Sequence, residues 1–276
     1  TYNGREIVEV AKNGPAEEAG LKAGDKFVSV AGTDVRETPN AIKALIQDAK
    51  DKTISIVVER EEEELTFDVE VRNVPSSVRY ELKENSIGYI NIDIFSETLT
   101  NQVSNALKDL EEKGMKKLII DLRDNSGGYL DSAETTASLF LEKGKLIYSL
   151  EDKNKKEDYY DETEEHRTYP IVILINEKSA SSAEILAAAL KDSYGAVLVG
   201  EKSYGKGKVQ QTIKLEDGSM AKYTSAKWLR PTGECIDNKG LTPDYAASLT
   251  YETNENGEQT VIDSQLNKAL EVIRAM

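Results

Sequence analysis

Histidine and cysteine are almost absent from this chain of 276 residues. The one histidine, His166, lies in the polar run D-Y-Y-D-E-T-E-E-H-R-T, which offers neither the burial nor the orienting partner of a catalytic histidine. The one cysteine, Cys235, excludes an internal disulfide. If a serine is the nucleophile of this protein, its base must therefore be another residue, and lysine is the candidate.

Long apolar runs and a positive net charge are also lacking. No run approaches the roughly 18 apolar residues of a membrane span, and no signal-like apolar region is present. The formal net charge is −15, which argues against nucleic acid or an anionic membrane as the main partner. We therefore expect no nucleic-acid partner, and a membrane contact only through a segment upstream of residue 1, if one exists.

A serine cluster and a glycine-flanked lysine lie in the segment from Ser179 to Gln210. The run S-A-S-S-A-E-I-L opens a predicted helix, whose first turn places free backbone N–H groups beside hydroxyls. After a predicted strand over 196–200, the run G-E-K-S-Y-G-K-G-K-V-Q places Lys206 between two glycines. Because a lysine acts as a base only when neutral, we expect the site to bury and desolvate Lys206.

The first 75 or so residues alternate short β patterns and turns. Strands are predicted over 5–10, 26–30, 53–60 and 65–71, with a helix over 40–50 and a four-glutamate turn between the last two strands. The run G-P-A-E-E-A-G-L-K-A-G-D-K-F-V-S-V-A-G at 14–32 resembles the core of a PDZ domain. Only two residues precede the hairpin-type turn Asn3-Gly4, so we expect the domain to lack its N-terminal strand and carboxylate loop.

Three apolar residues of the predicted helix over 40–50 are candidates for substrate binding. In a PDZ domain this helix forms one wall of the peptide groove. Ile42, Leu45 and Ile46 are expected to contact a ligand there, with plain domain core as the alternative. The run V-P-S-S-V-R at 74–79 is the predicted linker, and we divide the chain into a PDZ-like domain over 1–74 and a second domain over 75–276.

From Tyr80 onward, strand and helix patterns alternate, which indicates a mixed α/β layered domain. Strands are predicted over 87–95, 117–123, 170–176 and 196–200, and helices over 98–113, 129–142 and 263–274, with an acidic excursion at 151–168. The run D-L-R-D-N-S-G-G at 121–128 ends a buried strand in two glycines, Gly127 and Gly128. Their N–H groups are candidates for an oxyanion hole, although such a junction also serves simply to turn the chain.

The order of these motifs, ending in G-L-T-P-D at 240–244, resembles the carboxy-terminal processing proteases, also called tail-specific proteases. The resemblance covers nearly the whole chain and implies a PDZ-like domain followed by a protease domain of the ClpP/crotonase-like type. It assigns Ser181 as the nucleophile, Lys206 as the base and Gln210 as the residue that orients the base. The family often has alanine then serine where this chain has Ser182 and Ala183, so Ser179 and Ser182 stay open as alternative nucleophiles.

The same resemblance implies the rest of the site and the function. Backbone N–H groups of Ser182 and of Gly127 or Gly128 would hold the oxyanion, and Glu184, Asp192 and Ser203 fall at polar positions around the pair. The implied function is a serine endopeptidase that cleaves near the C-terminus of protein substrates whose tails the PDZ domain recognises. It implies no cofactor and no metal, a possible homo-oligomer, and a location outside the cytoplasm. A non-catalytic peptide-binding protein and an acyl-CoA enzyme on a related fold are the alternatives.

Overall fold

The computed structural model describes residues 2–8, 10, 14–72, 76–214, 220–253 and 259–276. The chain divides into two compact units, unit 1 (Thr1–Ser77) and unit 2 (Val78–Met276). The first strand of unit 2 begins at Val78, so the predicted linker over 74–79 overlaps that strand. Residues 73–75, including the proline expected to break the strand pattern, lie outside the described residues.

Unit 1 is a small antiparallel sheet with two helices. Its elements are β1 (Tyr2–Asn3), β2 (Glu6–Ile7), α1 (Pro15–Glu18), β3 (Lys26–Val30), β4 (Thr33–Asp34), α2 (Ala41–Asp48), β5 (Thr53–Arg60) and β6 (Glu63–Glu70). The strand order is β1-β2-β3-β5-β6, and β4 pairs with β3. The predicted four-glutamate turn is wrong, because Arg60 pairs with Glu63 and only Glu61 and Glu62, both at positive φ, form the turn.

Unit 2 carries the remaining strands and helices. They are β7 (Val78–Lys83), β8 (Ile87–Ile92), α3 (Leu99–Glu112), β9 (Lys117–Asp121), α4 (Leu130–Ala137), β10 (Leu146–Glu151), β11 (Lys156–Tyr160), β12 (Ile171–Ile175), α5 (Ser182–Ala189), β13 (Val197–Gly200), β14 (Lys208–Lys214), β15 (Met220–Leu229), β16 (Tyr245–Ala246), β17 (Thr250–Thr253), β18 (Gln259–Ile262) and α6 (Ser264–Ala275). A π-helical turn, Leu190–Tyr194, continues α5.

Two sheets and a hairpin organise unit 2. The larger sheet has the order β16-β13-β12-β9-β8-β7, in which β7 alone is antiparallel to its neighbour. The smaller sheet is antiparallel in the order β11-β10-β15-β14, and β17 pairs with β18. The carboxyl ends of the parallel strands β9 and β12 therefore lie side by side, and the loops that follow them meet at one edge of the sheet.

The central strands of the larger sheet, such as β9 and β12, are buried on both faces, as expected of a parallel sheet covered by helices. Along β12, Ile171, Ile173 and Ile175 belong to the core that also includes residues of α3, α4 and α5. The alternate residues Val172 and Leu174 pack with Ala269 and Ile273 of α6 on the opposite face. Helices thus cover both sides, which is the predicted α/β layering.

The hairpin of β10 and β11 was not predicted. Its second strand, K-E-D-Y-Y, falls in the stretch interpreted as an acidic excursion, and four of its five residues are exposed. An edge strand of that composition has no apolar alternation to reveal it, because its side chains face water.

Candidate active site

The three serines that follow β12 have different surroundings. Ser179 is fully buried, and its hydroxyl donates to the Leu122 carbonyl at 2.7 Å. Ser182 is also buried, and its hydroxyl donates to the Gly128 carbonyl at 3.0 Å. Ser181 keeps a partly exposed side chain. Two of these hydroxyls therefore hold loops together, and Ser181 is the one of the three serines that is partly exposed.

Ser181 lies in a strained turn that caps α5. Its φ is 56° and its ψ is −119°, a conformation that costs a non-glycine residue on the order of 1–3 kcal/mol. Its N–H donates to the Glu184 carboxylate at 2.9 Å, which fixes the first turn of the helix. A serine held in a sharp, strained turn between a strand and a helix is an arrangement known for serine nucleophiles.

The Glu184 carboxylate connects the serine turn to the loop of Lys206. Glu184 is 1% exposed, and its Oε1 accepts hydrogen bonds from the Ser203 hydroxyl at 2.5 Å and the Gly205 N–H at 2.7 Å. Its Oε2 accepts the N–H groups of Ser181 and Lys206, each at 2.9 Å. A single buried oxygen thus binds the backbones of Ser181 and Lys206, two of the three predicted catalytic residues.

The loop around Lys206 requires glycine on both sides. A Cβ on Gly205 would lie 2.7 Å from the backbone nitrogen of Gly240, and a Cβ on Gly207 would lie 2.6 Å from that of Asp237. The backbone of the loop is buried, but the Lys206 side chain is exposed. The expectation of a buried lysine is therefore wrong in this structure, because the loop packs through its main chain rather than through the lysine side chain.

Gln210 lies on β14, the strand that begins two residues after Lys206. It pairs with Thr224 directly after an irregularity in the β14–β15 register, and its side chain is exposed. Gln210 therefore lies on the strand that follows Lys206, but it is not hydrogen-bonded to Ser181 or Lys206 in the described part of the chain.

The glycine loop after β9 packs directly against the serine turn. A Cβ on Gly127 would lie 2.8 Å from the Ser181 Cβ and 3.0 Å from the Ser182 nitrogen. The Gly127 N–H donates to the side-chain oxygen of the buried Asn125 at 2.8 Å, so it is already occupied. Among the described residues, the Gly128 N–H has no hydrogen-bond acceptor. Of the two predicted glycine donors, Gly128 is the one that is free to bind an oxyanion.

The family of the chain follows from sequence comparison. Residues 86–247 match peptidase family S41, and residues 6–60 match the PDZ domain. The chain belongs to peptidase family S41.

Several members of this family are similar over most of the chain. The carboxy-terminal processing protease CtpA of Bacillus subtilis (strain 168) is 38% identical over 96% of this chain and 60% of its own length. The carboxy-terminal processing protease CtpB of the same organism is 35% identical over 87% of this chain and 52% of its own length. The chain thus spans between half and three-fifths of the length of these relatives.

A solved S41 relative confirms the fold. The structure of a photosystem II D1 C-terminal processing protease is 26% identical, covers 90% of this chain and 70% of its own chain, and has a TM-score of 0.60. The predicted family and the predicted mixed α/β fold with a PDZ domain are both confirmed. Among the described residues, no helix has the length and apolar character needed to traverse a bilayer, and no cluster of potential metal ligands is found.

The three predicted ligand-contacting residues of helix α2 in the PDZ domain differ in how deeply they are buried. Ile42 has no exposed surface and belongs to the core of unit 1, which corrects its assignment as a substrate-binding residue. Leu45 and Ile46 are partly buried against the same core. Ile46 also lines an apolar cavity of about 250 Å³, together with Phe27 and other residues of unit 1.

Two polar residues shape the site through their hydrogen bonds: Asn125 was not predicted, whereas Glu184 was expected at a polar position around the pair. Asn125 donates to the Ile92 carbonyl at 2.7 Å and accepts the Gly127 N–H, so it shapes the glycine loop from within. Glu184 has a weak sequence signal, because a serine followed three residues later by glutamate is a helix-capping pattern. Asp192, also expected near the pair, instead forms a bidentate ion pair with Arg230.

Proposed function

We propose that this chain is a serine peptidase that cleaves protein substrates near their C-termini, with Ser181 as nucleophile and Lys206 as general base. The observation that carries the proposal is the Glu184 oxygen that accepts the N–H groups of both residues. Because one oxygen binds the main chains of both residues, it supports a reaction in which the serine and lysine side chains work together. The one histidine of the chain lies in a different segment. Both residues lie in the segment that matches peptidase family S41, which supports the same serine–lysine chemistry.

The reaction is acyl transfer in two steps. Neutral Lys206 Nζ takes the proton of Ser181 Oγ while this oxygen attacks the carbonyl carbon of the scissile bond. The N–H groups of Ser182 and Gly128 stabilise the oxyanion, and each such donor typically contributes about 10²–10³ in turnover. The C–N bond then breaks, the protonated lysine donates its proton to the leaving amine, and water hydrolyses the acyl ester.

The remaining predicted site residues have supporting roles in this proposal. The Gln210 amide oxygen would accept a hydrogen bond from the Lys206 amine and hold it towards the serine. Gly127 contributes close packing against Ser181 rather than its N–H, which is bound by Asn125. Because the Lys206 side chain is exposed, we propose that the bound substrate covers and desolvates it.

The decisive experiment compares peptide hydrolysis by the wild type with that by single alanine variants. Ser181→Ala and Lys206→Ala should each abolish cleavage, and Gln210→Ala should reduce kcat. Lys202→Ala is the matched control, because this exposed lysine of the same segment has no role in the proposal. The wild-type rate should rise with pH as the base loses its proton. Cleavage that survives Ser181→Ala overturns the assignment of the nucleophile.

Tail recognition by the PDZ domain is tested with matched peptides. A substrate with a free, apolar C-terminus should be cleaved with a lower KM than the same peptide carrying a C-terminal amide, because a PDZ domain captures the terminal carboxylate. Equal KM values for the two peptides would show that the PDZ domain does not recognise the terminal carboxylate of the substrate.

A location outside the cytoplasm and a homo-oligomeric state belong to the same proposal. Both derive from the resemblance to the carboxy-terminal processing proteases. Cell fractionation with an antibody against the protein tests the first, and light scattering of the purified protein tests the second.

A further inference from the structure

The only tryptophan of the chain, Trp228, is bound to the lysine loop at two points. It lies on β15, and 2% of its surface is exposed. Its indole Nε1–H donates to the Lys206 carbonyl at 2.8 Å, and its backbone N–H donates to the Gly207 carbonyl at 3.0 Å. Two consecutive carbonyls of the loop are therefore bound by one residue.

The indole completes the binding of the Lys206 main chain. On one side, the Lys206 N–H donates to the Glu184 carboxylate of α5. On the other side, its carbonyl accepts the indole N–H of Trp228. Lys206 precedes β14, so its carbonyl has no place in the β14–β15 ladder, which begins at Lys208. The indole supplies the donor that the ladder does not.

Trp228 is itself held firmly. Its backbone pairs with Leu150 of β10, and its ring lies in the large core of unit 2. An indole N–H is a donor only, and when buried it requires an acceptor. The position of the loop is thereby tied to the antiparallel sheet as well as to the serine helix.

We propose that Trp228 is a positioning residue for the general base, acting through the hydrogen bond from its indole to the Lys206 carbonyl. This inference rests on the proposed function. The exposed lysine side chain has no ion pair among the described residues to orient it, so its reach towards Ser181 depends on where its main chain is fixed. A displacement of about 1 Å in such a group can reduce the rate by about 10².

The test removes the indole N–H and keeps the shape of the ring. Because the chain has one tryptophan, growth on β-benzothienyl-alanine, an isostere with sulfur in place of the N–H, changes this residue alone. Trp228→Phe provides a second variant. We expect kcat for peptide hydrolysis to fall at least about tenfold in both proteins, approaching the 10² expected of a misplaced base, with KM within about twofold of the wild type.

The control is Phe140→Leu, which alters another fully buried ring of the same core that has no bond to the loop. It should keep the wild-type kcat even where its loss of stability in urea matches that of Trp228→Phe. Equal falls of kcat in the two variants, or wild-type kcat in the benzothienyl protein, would overturn the inference. Ser181→Ala and Lys206→Ala, measured in parallel, report separately on the proposed function: cleavage that survives them refutes both proposals.

Discussion

Replacing Gly127 with alanine is a direct test of how closely the glycine loop packs against Ser181, the proposed nucleophile. The added Cβ would lie 2.8 Å from the Ser181 Cβ, 2.9 Å from the Ala180 carbonyl oxygen and 3.0 Å from the Ser182 nitrogen. All three atoms are fixed to the main chain of the serine turn, so no flexible side chain can move aside. The variant keeps the N–H of residue 127, so it removes no hydrogen-bond donor.

The expected magnitude follows from these distances. Carbon atoms in contact prefer about 3.5–4.0 Å, so relief of the contact requires a shift of about 1 Å between the loop and the serine turn. A shift of that size at a reacting group costs about 10² in rate. Residue 127 also has a φ of 107°, and left-handed backbone costs an alanine roughly 1–2 kcal/mol of stability.

Gly195→Ala separates the effect of backbone strain on stability from the effect of a displaced serine turn on kcat. Gly195 has a φ of 96°, it is exposed, and nothing lies within 4 Å of the position of an added Cβ. This control should lose stability in urea by about 1–2 kcal/mol through backbone strain and keep its kcat. Gly127→Ala should lose at least as much stability, and its kcat should fall about 100-fold. A kcat within twofold of the wild type for Gly127→Ala would refute the inference that packing of this loop positions Ser181 for catalysis.

Three further predictions concern buried polar groups. Glu184→Gln places an amide NH₂ against two donors, so we expect a loss of about 2–6 kcal/mol in urea unfolding, at about 1–3 kcal/mol per unsatisfied donor, and a fall in kcat. Asn125→Ala leaves the Gly127 N–H without its acceptor and the Ile92 carbonyl without its donor, and at the same cost per group it should lose about 2–6 kcal/mol in the same assay. Burial raises the pKa of Asp25, but hydrogen bonds from Arg60 and from the Lys22 N–H outweigh it and hold the pKa below its ordinary value. The carboxylate therefore stabilises the fold above about pH 4 and ceases to do so as the pH falls through its lowered pKa. Asp25→Asn should be less stable at pH 7, and the difference should shrink below pH 4, as followed by far-UV circular dichroism.

The sequence predicted most elements that have a regular apolar pattern. The strands over 26–30 and 53–60 coincide with β3 and β5, and the helix over 98–113 differs from α3 by one residue at each end. The β10–β11 hairpin was missed because the second strand is polar and exposed. The glutamates at 63 and 64 were assigned to a turn because charge suggested solvent, yet an exposed strand also accommodates charge.

The candidate site could be proposed from the sequence as a set of residues but not as a geometry. Motif order predicted Ser181 and Lys206 as the catalytic pair, whereas a choice among the three serines depends on tertiary contacts, which bury Ser179 and Ser182. Burial of Lys206 was expected on chemical grounds, and the exposed side chain follows from main-chain packing that no local pattern encodes.

Glu184 illustrates the limit of a local pattern. At the third position after Ser181, a glutamate is sufficiently explained as a helix cap, and one of its oxygens does accept the Ser181 N–H. A cap needs only that bond, and a carboxylate that served only as a cap would face water. This carboxylate is 1% exposed and also binds Ser203, Gly205 and Lys206, which lie beyond the next strand. A buried charge is tolerated only when its acceptor sites are filled, so the serine turn and the lysine loop must be assembled together for either to be stable.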